Sequence, residues 1–330
     1  MTSMVINIVV TCSNRKTISK YPPILLRSVS SQTIGERASK WINLIESKTS
    51  GLVQANDLYT GDHWRIASDL PRIAGTRGNL ADLWVCSAGY GLIQSTSRIY
   101  PYGATFSPRH PDSVVAGYSE PSKAVTVNRS WWTWLSTWQG PEPGSPRTFC
   151  QLAQRDPSRP LIVVASADYL KAIASDLVTA LGFLNDPDLL VIVSAGTKSI
   201  NGLDKHLVPC DARFQKMLGG ARLSLNSRIA RQIIDESPHR PVRATVMRKR
   251  YGELLDGQAD IEVPHRIPIS DQEAKDFIRK CLQDNPGLGH TPILRRLRQT
   301  GFACEQSRFR SVYMELKEVH PWRRITVKNF

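Results

Sequence analysis

The fold of this chain is indicated by the stretch INIVVTCSN, residues 6–14, in which a run of apolar and mostly β-branched residues ends in small polar ones. Three further stretches have a similar form: LWVCSAGYG at 83–91, LIVVASAD at 161–168 and LLVIVSAGT at 189–197. Continuous apolar runs of this length are typical of strands buried on both faces of a parallel sheet. They therefore predict an α/β protein built on a parallel-sheet domain.

The polar endings of the four runs predict one shared site. Ligands of parallel sheets bind beyond the carboxyl ends of the strands. Small residues let backbone N–H groups approach a ligand, and hydroxyl groups can hydrogen-bond it. Serine and glycine also end strands simply because turns favour them. Four such endings in one chain favour a site over that alternative.

The composition predicts a basic protein with a packed core. Of the 330 residues 41% are hydrophobic, and the formal net charge is +14 at pH 7. This charge favours a polyanionic partner, most simply nucleic acid, over a protein that is merely basic. No apolar stretch is long enough to span a bilayer and no signal-peptide pattern is present, so we expect a cytoplasmic protein without a membrane partner. Six scattered cysteines without CxxC spacing predict neither a zinc site nor a disulfide framework.

Changes in composition divide the chain into three parts. Residues 1–236 carry the four strand patterns and form the predicted α/β domain, in which residues 95–150 are expected to be irregular. Residues 237–268 contain prolines and are interpreted as a basic linker. Residues 269–330 are predicted to form a helical DNA-binding domain with a basic tail. The basic run of the linker is Arg248, Lys249 and Arg250.

The terminal part predicts three helices, at about 271–283, 292–299 and 305–316. Ser270 and Glu273 form a capping-box pattern, and Thr291 is expected to cap the second helix. A short turn with glycine before the last helix is typical of a helix-turn-helix domain, although any small helical bundle carries arginines. The expected DNA contacts are Arg295, Arg308 and Arg310 on the helices, with Arg323, Arg324 and Lys328 in the tail.

Helices are also expected in the first part of the chain. Their predicted ranges are 35–47, 62–73, 167–181 and 223–234. A tryptophan cluster has helical spacing, which puts its members on one face. That face is interpreted as core packing, with a base-stacking platform as the alternative. Its members are Trp131, Trp134 and Trp138.

Polar residues near the strand ends suit a small polar ligand such as a nucleobase. Breaking an N-glycosidic bond needs a carboxylate that stabilises an oxocarbenium-like sugar or activates water, and donors that hold the departing base. We expect Asp62 to be the carboxylate and Asn14 the catalytic amide. The alternatives are a helix cap for Asp62 and a turn residue for Asn14, and His63 is interpreted as a packing residue.

Other residues near the strand ends complete the expected site. The candidates for binding the base are Ser13, Ser87, Gly89, Ser194 and Asn226. The candidates for contacting the nucleic-acid backbone are Arg15, Lys16 and Arg222. The sequence has no metal-ligand spacing among its histidines, no Walker loop and no GxGxxG after a strand, so neither a metal nor a nucleotide cofactor is expected.

Three segments resemble a bacterial family related to the peroxide-stress YaaA proteins: VTCSNRK at 10–16, LYTGDHW at 58–64 and SAGYGLI at 87–93. The resemblance covers about residues 5–235. It implies a fold like that of uracil-DNA glycosylase and of a domain of the archaeal tRNA-guanine transglycosylases. Ala88 stands where the Ser-Gly-x-Tyr-Gly segment of YaaA proteins has glycine. The water-activating GxDPYH motif of uracil glycosylases is absent, so their catalytic residues are not carried over.

With its terminal helical module the chain is also similar to anti-phage DNA glycosylases of bacterial defence loci. That resemblance implies excision of α-glucosylated 5-hydroxymethylcytosine from double-stranded phage DNA, which leaves an abasic site. Such an enzyme flips the nucleotide out of the base stack before acting on it. A bulky base needs a roomy pocket, which Tyr90, Tyr102 and Phe106 are expected to line.

We therefore predict a DNA glycosylase that needs no metal, no cofactor and no obligate protein partner. We expect it to be monofunctional, because the sequence places no lysine convincingly for a Schiff base. Three alternatives stay open: a base-exchanging transglycosylase acting on DNA or tRNA, a non-catalytic DNA-binding stress or regulatory protein, and a nucleoside- or NAD-cleaving enzyme.

Overall fold

The computed structural model describes residues 4–118, 121–260 and 265–319. The chain divides into two units, with the boundary after Asp260. A large hydrophobic core belongs to the first unit, and a small separate core belongs to the second. Each unit therefore has its own packing, and the site described below lies in the first.

The elements of the described residues are numbered in chain order. The strands are β1 (Val5–Thr11), β2 (Ile24–Leu25), β3 (Val53–Gln54), β4 (Leu80–Ser87), β5 (Gly91–Gln94), β6 (Arg98–Ile99), β7 (Tyr102–Gly103), β8 (Leu161–Val164), β9 (Leu190–Val193), β10 (Ile267–Pro268) and β11 (Phe302–Ala303). The α-helices are α1 (Ile34–Glu46), α2 (Ala55–Leu58), α3 (Asp62–Ala67), α4 (Leu70–Thr76), α5 (Ala124–Thr137), α6 (Phe149–Arg155), α7 (Ala167–Leu181), α8 (Phe214–Leu218), α9 (Leu225–Asp235), α10 (Ala244–Asp256), α11 (Asp271–Asp284), α12 (His290–Gln299) and α13 (Gln306–Val319).

A five-stranded, mostly parallel sheet forms the centre of the first unit. Its strand order is β5-β4-β1-β8-β9, and β5 pairs antiparallel with β4 at one edge while the other four strands are parallel. Ile8, Val9 and Val10 in the central strand are fully buried, as strands covered on both faces require. The α/β class and the four predicted strands are confirmed.

Helix α7 shows why the sequence pattern identifies helices well in this unit. It begins and ends where predicted, at Ala167 and Leu181. Leu170, Ile173 and Leu177 recur three and four positions apart and are all fully buried, so one face of the helix packs into the core. The helix predicted at 35–47 is also present, as α1.

Three expectations for residues 62–150 are wrong. The helix predicted at 62–73 is two helices, α3 and α4, because Pro71 lies in the first turn of the second, where a missing N–H is tolerated.

The three tryptophans that were expected on one buried helical face do not share such a face. Trp131 and Trp132 are buried on α5, whereas Trp134 is 43% exposed and Trp138 follows the end of the helix. The segment 95–150 is thus partly helical rather than irregular.

The segment interpreted as a linker contributes a helix to the first unit. α10 places Ala244, Met247 and Tyr251 in the large core, at the spacing of one helical face. The basic run between Met247 and Tyr251 lies on the rest of the helix surface and dominates the local composition, which is why the sequence suggested a linker. The observed boundary after Asp260 replaces the predicted domain limit at residue 236.

The second unit is built from α11, α12 and α13. Ile278, Leu282, Ile293, Leu297 and Phe309 are among its core residues. The capping box of Ser270 and Glu273 is present at the start of α11. Gly289 rather than Thr291 caps α12, since that helix begins one residue before the threonine.

Two further expectations concern the basic tail and the absence of a membrane-spanning helix. The basic tail with Arg323, Arg324 and Lys328 lies outside the described residues. Among the residues that are described, no helix is both long enough and apolar enough to cross a membrane.

Candidate functional site

The carboxyl ends of the parallel strands lie along one edge of the sheet. From β1 the chain passes to β4 on one side, and from β5 it crosses to β8 on the other side, so the connections diverge between β1 and β8. Ligands of open parallel sheets bind at such a divergence. The loop that follows β1 therefore occupies the position where a site is expected.

A cavity of about 440 Å³ lies beside this loop. Its polar lining residues come from distant parts of the chain, which the short pairing of β2 with β7 brings together. They include Asn14, Lys16, Arg27, Tyr102, His110 and Asp112. Of the two residues expected to be catalytic, Asn14 lines this cavity and is exposed, whereas Asp62 is not among the lining residues.

The backbone holds Lys16 firmly at the rim of the cavity. Thr60 N–H donates to the Arg15 carbonyl at 3.0 Å, and Thr17 N–H donates to the Leu58 carbonyl at 2.8 Å. The partly buried Lys16 Nζ donates to the Ser13 carbonyl at 3.2 Å and lies 4.5 Å from the centroid of the Tyr102 ring. Burial lowers the pKa of the Lys16 ammonium, although the charge of Asp112 acts in the opposite direction.

A chain of buried hydroxyl groups continues from Tyr102. Its phenol oxygen lies 2.6 Å from Ser87 Oγ and 2.8 Å from the Tyr59 phenol oxygen. Ser87 Oγ accepts from Gly89 N–H at 3.1 Å and Tyr90 N–H at 3.0 Å, so its own proton is free for Tyr102, which in turn donates to Tyr59. Burial raises the pKa of both phenols well above the ordinary value, so both stay protonated.

Gly89 is needed for this arrangement. A Cβ atom at that position would lie 2.4 Å from an atom of the Tyr102 ring, closer than two carbon atoms can approach. Gly89 therefore lets the Tyr102 ring pack against the end of β4. This is a packing role, whereas the sequence predicted that Gly89 binds the base.

A carboxylate and a histidine also line the cavity. Asp112 is 2% exposed and is held by Arg27, whose Nε lies 2.9 Å from Oδ1 and whose second terminal nitrogen lies 2.8 Å from Oδ2. His110 Nδ1 accepts from the Asp112 N–H at 3.0 Å, so the neutral ring carries its proton on Nε2. The cavity thus combines a fixed carboxylate with hydrogen-bond donors.

Asp62 has a different environment from the one expected. It is the first residue of α3, and its side chain is 36% exposed. Oδ2 accepts from Ser224 Oγ at 2.6 Å and from Arg228 at 2.8 Å, and Oδ1 accepts from Arg65 at 2.7 Å. These bonds, Ser224 first, hold the pKa of the carboxyl group well below its ordinary range. Asp62 joins α3 to α9, and Gly61 rather than Asp62 occupies the cap position.

His63 and Asn226 also connect elements near the strand ends. His63 Nε2 lies 3.0 Å from the Thr11 carbonyl and Nδ1 lies 2.7 Å from Ser227 Oγ, and burial lowers its pKa. Asn226 Oδ1 accepts from Ala195 N–H at 2.7 Å, and Nδ2 donates to the Ala165 carbonyl at 2.9 Å. Both side chains use their polar atoms to fix the ends of strands.

Several residues expected at a base pocket lie in packed or bonded positions instead. Tyr90 is 1% exposed, and its hydroxyl group bonds to the Tyr100 backbone. Phe106 is fully buried and packs edge-on against Tyr169. Ser13 Oγ donates to the Thr60 carbonyl at 2.8 Å, and Ser194 Oγ lies 2.8 Å from Thr197 Oγ1. Tyr90 and Phe106 are not among the residues that line the cavity, because the core covers both rings.

The basic residues expected to contact DNA fall into two groups. One group is exposed: Arg15, Arg222, Lys249, Arg295 and Arg310. The other group has protein partners, since Arg248 donates to the carbonyl groups of Asp204 and Leu207, Arg250 pairs with Glu236 and Arg308 pairs with Asp271. Lys16 belongs to neither group, because it lines the cavity.

Sequence reasoning missed Arg27, His110 and Tyr59 as site residues and left Asp112 without a role. The aromatic loop at 100–106 is the local signal for this region, and Tyr102 within it was identified. Arg27 had no comparable signal, because its partner is 85 positions away. Within the described residues, no group of three or more His, Cys, Asp or Glu side chains is arranged to hold a metal ion.

Comparison of the chain with models of protein families, with curated proteins and with solved structures finds no match.

Proposed function

We propose that this protein is a DNA glycosylase that excises a modified base, α-glucosyl-5-hydroxymethylcytosine, from double-stranded phage DNA. We further propose that the first unit has a uracil-DNA-glycosylase-like fold and the second is a helix-turn-helix domain. The observation that carries the proposal is the cavity at the end of β1, where Asn14, Lys16, His110 and Asp112 meet. Its volume of about 440 Å³ falls in the range of roughly 300–1,000 Å³ typical of small-molecule sites.

The donors in the cavity suit the departure of a base. When an N-glycosidic bond breaks, electrons move onto the base, and fixed donors stabilise the charge that develops. Lys16 and His110 both line the cavity, and Lys16 Nζ and the His110 Nε2–H are potential donors of this kind. The exposed amide of Asn14 can orient either the base or the attacking water.

Asp112 is better placed than Asp62 to stabilise the sugar. An oxocarbenium-like sugar carries positive charge, which a nearby carboxylate favours. Asp112 lines the cavity, whereas Asp62 is occupied by Ser224 and two arginines. Because Arg27 binds both oxygens of Asp112, an electrostatic role suits this carboxylate better than nucleophilic attack. This favours hydrolysis over a transglycosylase, which needs a covalent carboxylate intermediate.

The second unit supports DNA as the partner. α12 and α13 are joined by a short segment that contains the strand β11 and Gly301, whose φ of +88° favours glycine. Arg295 on α12 and Arg310 on α13 are exposed and available for phosphates or base edges. A target base would then be flipped into the cavity of the first unit.

The test measures release of the free base from a duplex that contains glucosylated 5-hydroxymethylcytosine, read by mass spectrometry. We expect Asn14→Ala and Asp112→Asn to reduce the rate at least tenfold, and the matched exposed variant Asn201→Ala to leave it unchanged. Unchanged rates in both cavity variants would contradict the assigned site. Salt-dependent DNA binding without any base release would favour the non-catalytic DNA-binding protein.

A further inference from the structure

We propose that Lys16 is the nucleophile of an additional abasic-site lyase activity, in which its amine forms a Schiff base with the sugar left after base excision. The inference rests on the proposed glycosylase function and extends it from one reaction to two. It replaces the expectation of a monofunctional enzyme, because the structure places a lysine at the cavity that the sequence did not single out for this role.

The position of Lys16 is the first support. It is the one lysine among the residues that line the cavity, all of which the structure describes. The bridge between its backbone and Tyr59 fixes the start of the side chain, and the Ser13 carbonyl accepts from Nζ at 3.2 Å. An amine that is held in one position beside a cavity reacts more readily with a sugar bound in that cavity, because the two groups are already close and oriented.

The surroundings of the amine are the second support. Nζ lies 4.5 Å from the centroid of the Tyr102 ring and 5.7 Å from that of Tyr59. Burial lowers the pKa of Lys16, although the charges of Cys12 and Asp112 act in the opposite direction, and a lowered pKa increases the fraction of unprotonated amine at neutral pH. Nucleophilic lysines are activated in this way. Lys20, in the same loop, is exposed and is not among the residues that line the cavity.

The reaction needs only DNA and water. The Lys16 nitrogen attacks C1′ of the ring-opened sugar, and the aldehyde oxygen leaves as water to give a C=N bond. Loss of the C2′ proton to solvent then expels the 3′-phosphate as the C3′–O bond breaks. Water finally hydrolyses the C=N bond, which releases the cleaved strand with an unsaturated aldehyde at its 3′ end and restores the amine.

The test uses borohydride reduction of the full-length protein on a duplex with a preformed abasic site, so that base excision by this protein is not required. We expect a covalent protein–DNA complex, with the adduct located on Lys16 by peptide mass spectrometry. Lys16→Arg keeps the positive charge but not the nucleophile and should reduce the complex at least tenfold, whereas Lys20→Ala should leave it unchanged.

Two results would overturn the inference: an undiminished complex with Lys16→Arg, or an adduct on another amine. Thermal unfolding and DNA binding of Lys16→Arg are measured alongside, and Lys16→Met provides a second, uncharged variant. Release of the modified base is assayed separately. If the modified base is released but no covalent complex is trapped, only the lyase proposal fails. If the complex is trapped but no modified base is released, only the proposed glycosylase reaction fails.

Discussion

The phenol oxygen of Tyr102 lies 2.6 Å from Ser87 Oγ, which joins one wall of the cavity to the carboxyl end of β4. Tyr59 extends this connection to the segment that pairs with Lys16. The cavity is thus attached to the central sheet by hydrogen bonds that are buried and mutually dependent. Buried networks of this kind are costly to break in part, because each remaining polar group loses a partner.

Removal of the Tyr102 hydroxyl group should destabilise the first unit. Tyr102→Phe removes the hydrogen bonds that the Tyr102 hydroxyl group makes with Ser87 and Tyr59, and we expect the unfolding free energy to fall by about 1–3 kcal/mol. Chemical denaturation of the full chain measures this. Tyr21→Phe is the control, because Tyr21 is 39% exposed and its loss of a hydroxyl group should cost less than about 0.5 kcal/mol. Equal effects of the two variants would contradict the network.

A side chain at Gly89 should displace Tyr102. Gly89→Ala puts a Cβ atom 2.4 Å from the ring, and we expect a loss of about 1–3 kcal/mol in stability together with slower base release. The matched control is Gly252→Ala in α10, where a Cβ atom meets nothing within 4 Å. That variant should gain about 0.5–1 kcal/mol from helix propensity. Stability measured by urea denaturation separates the two outcomes.

Asp62 should contribute to stability in a pH-dependent way. Its pKa is lower in the folded state than the ordinary value of 3.8, so its contribution is complete above that value and is lost as the pH falls toward the folded pKa. We expect Asp62→Asn to cost roughly 1 kcal/mol at pH 7, because the carboxylate is partly exposed. The difference from the unaltered protein should shrink between pH 4 and pH 2. A pH-independent difference would show that charge is not the cause.

Substitution of Asp112 should slow base release more than substitution of Asp62. We expect Asp112→Asn to reduce base release at least tenfold, and Asp62→Asn to reduce it less than threefold at neutral pH, because only Asp112 lines the cavity. Initial rates under single-turnover conditions provide the measurement. The reverse order of effects would return the catalytic carboxylate to Asp62, as the sequence alone suggested.

DNA binding should depend on the exposed arginines of the second unit. Arg310→Ala is expected to weaken binding and to lower the slope of log K against log salt by about one, as the loss of one phosphate contact would. Fluorescence anisotropy over a salt series measures both quantities. Arg279→Ala removes an equal charge from α11, where Arg279 pairs with Asp276, and should have the smaller effect. Equal effects would indicate that only net charge matters.

Local patterns in the sequence predicted the elements, and long-range contacts determine the site. The bounds of α7 and the capping box at Ser270 follow from spacing within a few residues. The pairing of Arg27 with Asp112 joins positions 85 residues apart, and no local pattern encodes it. Asp62 and Asn14 looked alike in sequence because both lie just after strand or turn signals. Only the folded chain shows that Asp62 forms ion pairs and that Asn14 lines the cavity.

The central proposal is tested most directly by incubating the purified protein with three DNAs: ordinary DNA, uracil-containing DNA and phage DNA that carries glucosylated 5-hydroxymethylcytosine. Released bases are identified by mass spectrometry, and abasic sites are counted with an aldehyde-reactive probe. We predict a base released from the glucosylated DNA alone, with the release lost in Asn14→Ala and Asp112→Asn. No release from any of the three DNAs, with tight salt-dependent binding, would contradict the glycosylase and favour a DNA-binding regulator.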